Sequence, residues 1–265
     1  MKTNILIAAV AILFVMASCK KENILPDANG ELLTKVILTE LVTNKSGTGN
    51  YFYNELGQLT SIVGNNNDIN SPDTTWSLFT YNAAGHLSSL LVTNNTTGHQ
   101  YKYNYTSDAA GKILTCTGEA MQPNMYLHDV KFVYNRNGRI TSDTSFTKTG
   151  EMDGYSVLEY DNNSNISAYQ DFVITGATVY SQGKFTYQYD NKRSPFNKIG
   201  KLLYQIAPNS NSYFYLNKNN TVLVFLNGVP FTPGGNFVNQ YYSNDLLRFQ
   251  RLNVNNSLVQ EFFYK

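Results

Sequence analysis

The chain of 265 residues has two cysteines, one tryptophan, three histidines and no run of more than two Lys or Arg residues. Two cysteines cannot build the disulfide framework of a small secreted domain. Basic and acidic residues nearly balance, 20 against 19, and without clustered cations to neutralise phosphates the chain is not expected to bind nucleic acid. His86, His99 and His128 stand apart, with no cysteine or carboxylate at zinc spacing, so no metal and no cofactor is implied. Gly-x-Ser-x-Gly, His-Glu-x-x-His and phosphate-loop patterns are missing as well. With Trp76 alone, the exposed aromatic platform of a typical glycan binder has little support.

What the chain has in abundance is tyrosine and phenylalanine, 20 and 15 residues. Both are strand formers, and few windows carry a helical period. The rings recur in a pattern seen most clearly at Phe132-Val133-Tyr134-Asn135-Arg136-Asn137-Gly138-Arg139-Ile140. Two alternate aromatics, a turn rich in residues that tolerate positive φ, and a resumed apolar alternation write a β-hairpin. Near-copies place Tyr53 before Gly57 and Tyr81 before Gly85, and degenerate ones start at Tyr105 (with Gly111), Tyr160, Tyr189, Tyr215 and Tyr242. These tyrosines lie 24 to 29 residues apart along the whole chain, which predicts an array of hairpins rather than separate domains.

The expected fold is all-β: an antiparallel up-and-down meander of about 16–18 strands, as a flattened or filled barrel or a strongly curved sheet. Turns are expected near Gly57, Gly85, Gly111 and Gly138, and return loops at Gly64–Thr74, Gly118–Pro123 and Lys148–Gly154. Tyr101, Tyr103 and Tyr105 share one strand face and Lys102 and Asn104 the other, so the aromatic face should turn inward. On this pattern Tyr53, Tyr81, Tyr134, Tyr160 and Tyr189 should be substantially buried. An empty cylinder of that many strands would leave apolar walls facing water, so collapse or internal filling is expected.

Residues 1–18 read as a signal peptide: Lys2, an apolar run from Ile5 to Val15, then small residues. Met16-Ala17-Ser18-Cys19 resembles the bacterial lipobox, which implies lipidation of Cys19. Residues 19–31 then form a flexible tether and residues 32–265 a single repeat domain. Cys116 is left without a partner and is expected to be a buried, inert thiol. Lys20-Lys21-Glu22 resembles the export tag of surface lipoproteins in Bacteroidota, which implies the outer membrane and favours its surface over the periplasm. The Tyr-Asn-x-x-Gly-x-Leu units resemble the YD (Rhs-type) repeat. Together, the lipobox, the Asn/Tyr-rich body and the length resemble a Bacteroidota lipoprotein family of unknown function with a porin-like, up-and-down barrel fold.

Those resemblances imply architecture and cell envelope, and they carry over no catalytic residue. The expected role is a non-catalytic envelope protein, binding a glycan or an envelope protein or scaffolding, with membrane contact only through its lipid. The alternative is a hydrolase of envelope polysaccharides, using two carboxylates drawn from Asp143, Glu151, Asp153, Glu159 and Asp171 on neighbouring units. Asp161-x-Asn163-x-Asn165 mimics the start of a calcium loop. It lacks the glycine and the final glutamate, and reads as a hairpin turn.

Overall fold

The computed structural model describes residues 32–41, 43, 45–68, 71–121, 127–206, 213–230, 237–252 and 258–265. Cys19, the signal and tether segments and most of the Gly/Pro-rich stretch 228–235 lie outside the described residues.

Seventeen strands follow one another in a single antiparallel meander. They are β1 (Leu33–Glu40), β2 (Lys45–Tyr53), β3 (Leu59–Asp68), β4 (Ser71–Tyr81), β5 (Leu87–Asn94) and β6 (Gln100–Ser107). Next come β7 (Ile113–Ala120), β8 (Asp129–Tyr134), β9 (Ile140–Phe146), β10 (Met152–Tyr160), β11 (Ile166–Thr175) and β12 (Thr178–Arg193). After a short helix, α1 (Gly200–Ile206), the meander resumes with β13 (Asn219–Leu226), β14 (Val229–Pro230), β15 (Phe237–Tyr241), β16 (Leu247–Leu252) and β17 (Leu258–Tyr264). The last strand pairs with the first, Leu38 opposite Gln260. The sheet is nevertheless not closed: among the described residues no ladder joins β14 to β15. Side chains cross there instead, Tyr241 and Asn239 donating to Asp190 and Gln250 to the Thr221 carbonyl.

The turns repeat in detail. Asn54, Asn82, Asp108 and Asn135 each accept, through Oδ1, the backbone N–H groups two and four residues on. This side-chain mimic of a backbone turn is why Asn follows Tyr53, Tyr81 and Tyr134, and why Asp108 follows Ser107, which takes the tyrosine's place in that hairpin. The glycine of each unit then sits at φ between 73 and 79°. Ser164 and Asp245 hold the same left-handed position in the degenerate units at Tyr160 and Tyr242. At Tyr189 no hairpin follows: β12 runs on to Arg193, and Tyr215 falls in a short 3-10 turn (Tyr213–Leu216).

Neighbouring hairpins are joined by the tyrosines. The hydroxyls of Tyr53, Tyr81, Tyr134, Tyr160 and Tyr189 donate to the carbonyls of Leu33, Leu59, Ile113, Ile140 and Ile166, in each case the first residue of the preceding unit's outgoing strand. Tyr105 differs, its hydroxyl facing the buried Cys116 thiol. The residue after each glycine adds a second link: Gln58 donates to the Gly85 carbonyl, the His86 ring covers Gly111, and Arg139 donates to Ser164 Oγ.

Two expectations need correction. Tyr53, Tyr81, Tyr134, Tyr160 and Tyr189 are half-buried rather than buried. They rim the turn end of the sheet, and the buried positions lie two residues earlier, at Tyr51, Phe79, Phe132, Leu158 and Tyr187. Two of the three return loops are also shorter than expected, and the one expected at Gly118–Pro123 lies partly outside the described residues. Gly64 pairs with Thr75 and Asp68 with Ser71, so the Asn/Thr/Ser stretch expected as a loop extends β3 and β4. Gly118 lies inside β7, and the Thr147–Glu151 turn gives way to β10 at Met152.

The interior is filled by the segment between β12 and β13. Phe196, Ile199, Leu203 and Ile206 recur at intervals of three and four, a helical stripe that is fully buried. Ser194 starts the turn by accepting the Phe196 N–H through its Oγ. Seven helical residues are too few to be stable alone, and packing against the sheet holds them. Phe196 meets Phe262 of β17 edge-on at 6.0 Å, Tyr204 meets Phe132 of β8 at 6.5 Å, and Asn217 accepts the Ile166 N–H of β11. Gly200 runs so close to the Tyr215 carbonyl that a β-carbon would stand 1.8 Å from that oxygen.

Tyr81→Phe removes one inter-hairpin bond and leaves the ring in place. It is expected to cost about 1 kcal/mol in a denaturant titration. An unchanged midpoint would mean that these hydroxyls do not couple the hairpins. Gly200→Ala must push backbone apart inside the core, and a loss of about 2–3 kcal/mol is expected. A loss near that of an exposed substitution, within about 0.5 kcal/mol, would place the segment elsewhere.

Candidate functional site

The meander brings two of the five candidate carboxylates together. Asp143 on β9, Ser156 on β10 and Asp171 on β11 are direct cross-strand partners, so their side chains form one row on the inner face. Ser156 Oγ lies 3.3 Å from Asp143 Oδ1, 3.1 Å from Asp171 Oδ1 and 3.0 Å from the Tyr169 hydroxyl. From the interior segment, the Tyr204 hydroxyl donates to Asp143 Oδ2. Asp143 is only 6 % exposed, and Tyr169 and Tyr204 are fully enclosed.

Burial, and secondarily the neighbouring Asp171 carboxylate, pushes the Asp143 pKa up to about 7, although the Tyr204 and Ser156 hydroxyls favour the charged form. Asp171, less buried, is also raised, chiefly by desolvation. Near neutral pH the row therefore tends to carry one charge rather than two, as coupled carboxylates do. A carboxyl that keeps its proton at neutral pH can act as a general acid. Here it is sealed under Tyr204.

The remaining carboxylates go elsewhere. Asp153 accepts from Ser145 Oγ and pairs with His128 Nδ1, each at 2.6 Å. Because the serine bonds the carboxylate rather than the imidazole, the three do not make a nucleophilic triad. Glu159 forms an exposed ion pair with Lys184 at 2.8 Å, and Glu151 lies on an exposed turn. Asp161 to Asn165 forms the hairpin turn between β10 and β11, with Asp161 Oδ1 accepting the Asn165 N–H. Cys116 is 2 % exposed, and burial pushes its thiol pKa up to about 12, which leaves it unreactive.

A second feature opens at the turn end, where the interior segment meets the hairpins of β8 to β11. A cleft of about 240 Å³ is lined by Arg139, Ser164, Asn197, Lys201 and Lys218, with Tyr160 and Tyr215 behind them. Arg139 lies over the Tyr160 ring, and Lys112 and Lys201 both lie over the Tyr134 ring, at 5.1 and 4.9 Å. Burial and the Lys112 ammonium lower the Lys201 pKa, against a weaker pull from Asp108. Sequence reasoning missed this cleft. Its residues come from separate segments, and the one local signal was the helical spacing of Phe196, Ile199, Leu203 and Ile206.

The fold has a counterpart among solved structures. It is similar to that of a porin-like protein from Bacteroides uniformis, with 14 % identity, a TM-score of 0.58, and coverage of 88 % of this chain and 98 % of the other. At that identity the likeness shows the fold. A TcdB2-TccC3 structure aligns with a TM-score of 0.34 and 10 % identity over 78 % of this chain, which spans 11 % of that chain's length. No family model and no curated protein matches the sequence.

Replacing Asp143 by Asn keeps an acceptor for Tyr204 and removes the titration. Because the folded-state pKa of Asp143 is raised, its stabilising effect is full below about pH 4 and is lost as the pH climbs toward about 7. The substituted protein is therefore expected to match the parent near pH 4 and to exceed it by about 1–3 kcal/mol at pH 8. Parallel stability curves at both pH values would contradict the buried, protonated assignment.

Proposed function

We propose that this is a non-catalytic lipoprotein of the cell envelope, anchored by lipid on Cys19 and acting as a binding or scaffolding protein. One observation supports this over the hydrolase reading. The inner face, where a barrel enzyme would hold its substrate, is packed with the chain's own segment, and Asp143, the more buried of the two carboxylates, lies beneath Tyr204. The Asp143–Ser156–Asp171 row is the specific feature in favour of hydrolysis, and Tyr204 would have to move aside for a polymer to reach Asp143.

The envelope assignment rests on the sequence: the apolar run before Met16-Ala17-Ser18-Cys19 and the Lys20-Lys21-Glu22 tag. The outward face supports attachment by lipid rather than by spanning. Lys131 and Glu261 point outward from mid-strand and Lys184 pairs there with Glu159, whereas a spanning barrel requires an unbroken apolar band. The Tyr-x-x-x-Gly units, which resemble the YD repeat in sequence, form hairpins, and this supports a scaffold role.

Metabolic labelling with a fatty-acid probe, followed by fractionation, tests this. Label and protein are expected together in the outer-membrane fraction, and Cys19→Ser is expected to lose both. Protease treatment of intact cells is expected to digest the chain if it is surface-displayed. An unlabelled parent protein recovered in the soluble fraction would overturn the reading.

A further inference from the structure

The cleft at the turn end carries three cations that form no ion pair among the described residues, with Asp108 exerting only a weak pull on Lys201. Arg139, Lys201 and Lys218 line it and no carboxylate does. Among the described residues none of the three is in an ion pair, although Lys112, Lys184 and Lys192 nearby in sequence or space each have one. Instead Arg139 donates to Ser164 Oγ at 2.6 Å, and Lys201 sits 3.5 Å from the Gly138 carbonyl. In a chain with a formal charge of +1, three such cations around one concavity are a local excess that favours an anion. Low-dielectric walls strengthen the attraction, since Ile140 and the buried Tyr215 close the floor.

The fold maintains this arrangement. Arg139 is fixed by the cation–π contact with Tyr160 and by Ser164, which holds the left-handed turn position that glycine fills in the closest repeats. Lys201 is on the first turn of α1, whose register is set by Leu203 and Tyr204 in the core. Lys218 follows Asn217, whose Oδ1 is bonded to Ile166 and Tyr189. Lys201 and Lys218 are exposed, but their backbone is fixed by α1 and by the Asn217 bonds, and positions set in advance lose less freedom on binding. At about 240 Å³ the cleft suits a ligand of single-sugar size, below the roughly 300–1,000 Å³ of most drug-sized sites.

We propose that this cleft is an anion-binding site, taking the carboxylate or phosphate of a small molecule or of one acidic sugar unit. Arg139 supplies the planar, two-pronged donor that suits either group, and Lys201 and Lys218 supply point charges on either side. Asn197 at the rim offers an amide to neighbouring hydroxyls. The site deepens the binding reading above but does not depend on the envelope assignment. Fractionation tests location, and titration of the purified protein tests the cleft.

Isothermal titration of the full-length protein with sodium glucuronate, inorganic phosphate and neutral glucose, each in separate phosphate-free buffer, decides it. At least one anion is expected to saturate one site in the millimolar range or tighter, weakening as salt is raised, while glucose gives no heat. Saturation by glucuronate alone assigns an acidic sugar, and saturation by inorganic phosphate alone assigns a phosphate group. Lys201→Gln with Lys218→Gln is expected to reduce affinity at least about tenfold with an unchanged melting temperature, and Lys201→Arg with Lys218→Arg to retain it. Failure of both anions to saturate, glucose binding as well as they do, or undiminished affinity in the glutamine variant would overturn the proposal.

Discussion

A curled sheet of seventeen strands encloses more space than its own inward side chains can fill, and the rest of this structure depends on how that space is occupied. Protein interiors pack as densely as organic crystals, and an unfilled apolar lumen would forfeit dispersion contacts on every wall. The chain meets the constraint internally. Between β12 and β13 it leaves the sheet, forms α1, and lays Phe196, Leu203, Tyr204 and Tyr215 against inward residues of β8, β11 and β17. Each large apolar side chain buried this way contributes about 1.5–3 kcal/mol. A contact set that reaches three separate regions of the sheet fixes its curvature as well as its stability.

Polar groups come inside with that segment. Tyr204 brings a hydroxyl into the core, and Asp143 accepts its hydrogen bond. Asp143 in turn lies beside Ser156, Tyr169 and Asp171, so the fill and three adjacent strands share one hydrogen-bonded row. Removing water from a carboxylate costs several kcal/mol unless it is bonded or protonated, which is why Asp143 holds its proton well above the ordinary range. The same side chains that suggest an acid pair on paper are thus explained as the attachment of the fill. At the turn end the situation differs: Lys201 and Lys218 enter with the segment, no carboxylate lines their cleft, and neither forms an ion pair among the described residues.

Much of the meander was legible because its signals are local. Asn135 and Gly138 determine their turn within four residues, and Phe132 and Tyr134 determine the face of their strand by alternation. The strand count and the need for a filled interior followed from repeating that unit. The source of the fill did not follow, because the tyrosine period continues through Tyr189 and Tyr215 and concealed the helical stripe of Phe196, Ile199, Leu203 and Ile206. Burial of the repeat tyrosines was overestimated for a geometric reason. A residue next to the turn lies at the rim, where its hydroxyl reaches the next hairpin and its ring is only half covered. Among the acidic residues, proximity in sequence could not tell Asp171, opposite Ser156 in register, from Asp153, which sits at a bulge of β10 and reaches His128.

The central claim is that residues 196–206 belong to the core on equal terms with the strands. Native-state hydrogen exchange measures this directly. Amides of α1, including that of Leu203, which bonds to the Ile199 carbonyl, are expected to exchange only through global unfolding, with the same free energy as the amides of Phe132 and Ile166. Exchange of α1 at a free energy well below that of those strands would show a separately opening element, and would contradict the account of a sheet built around its own chain.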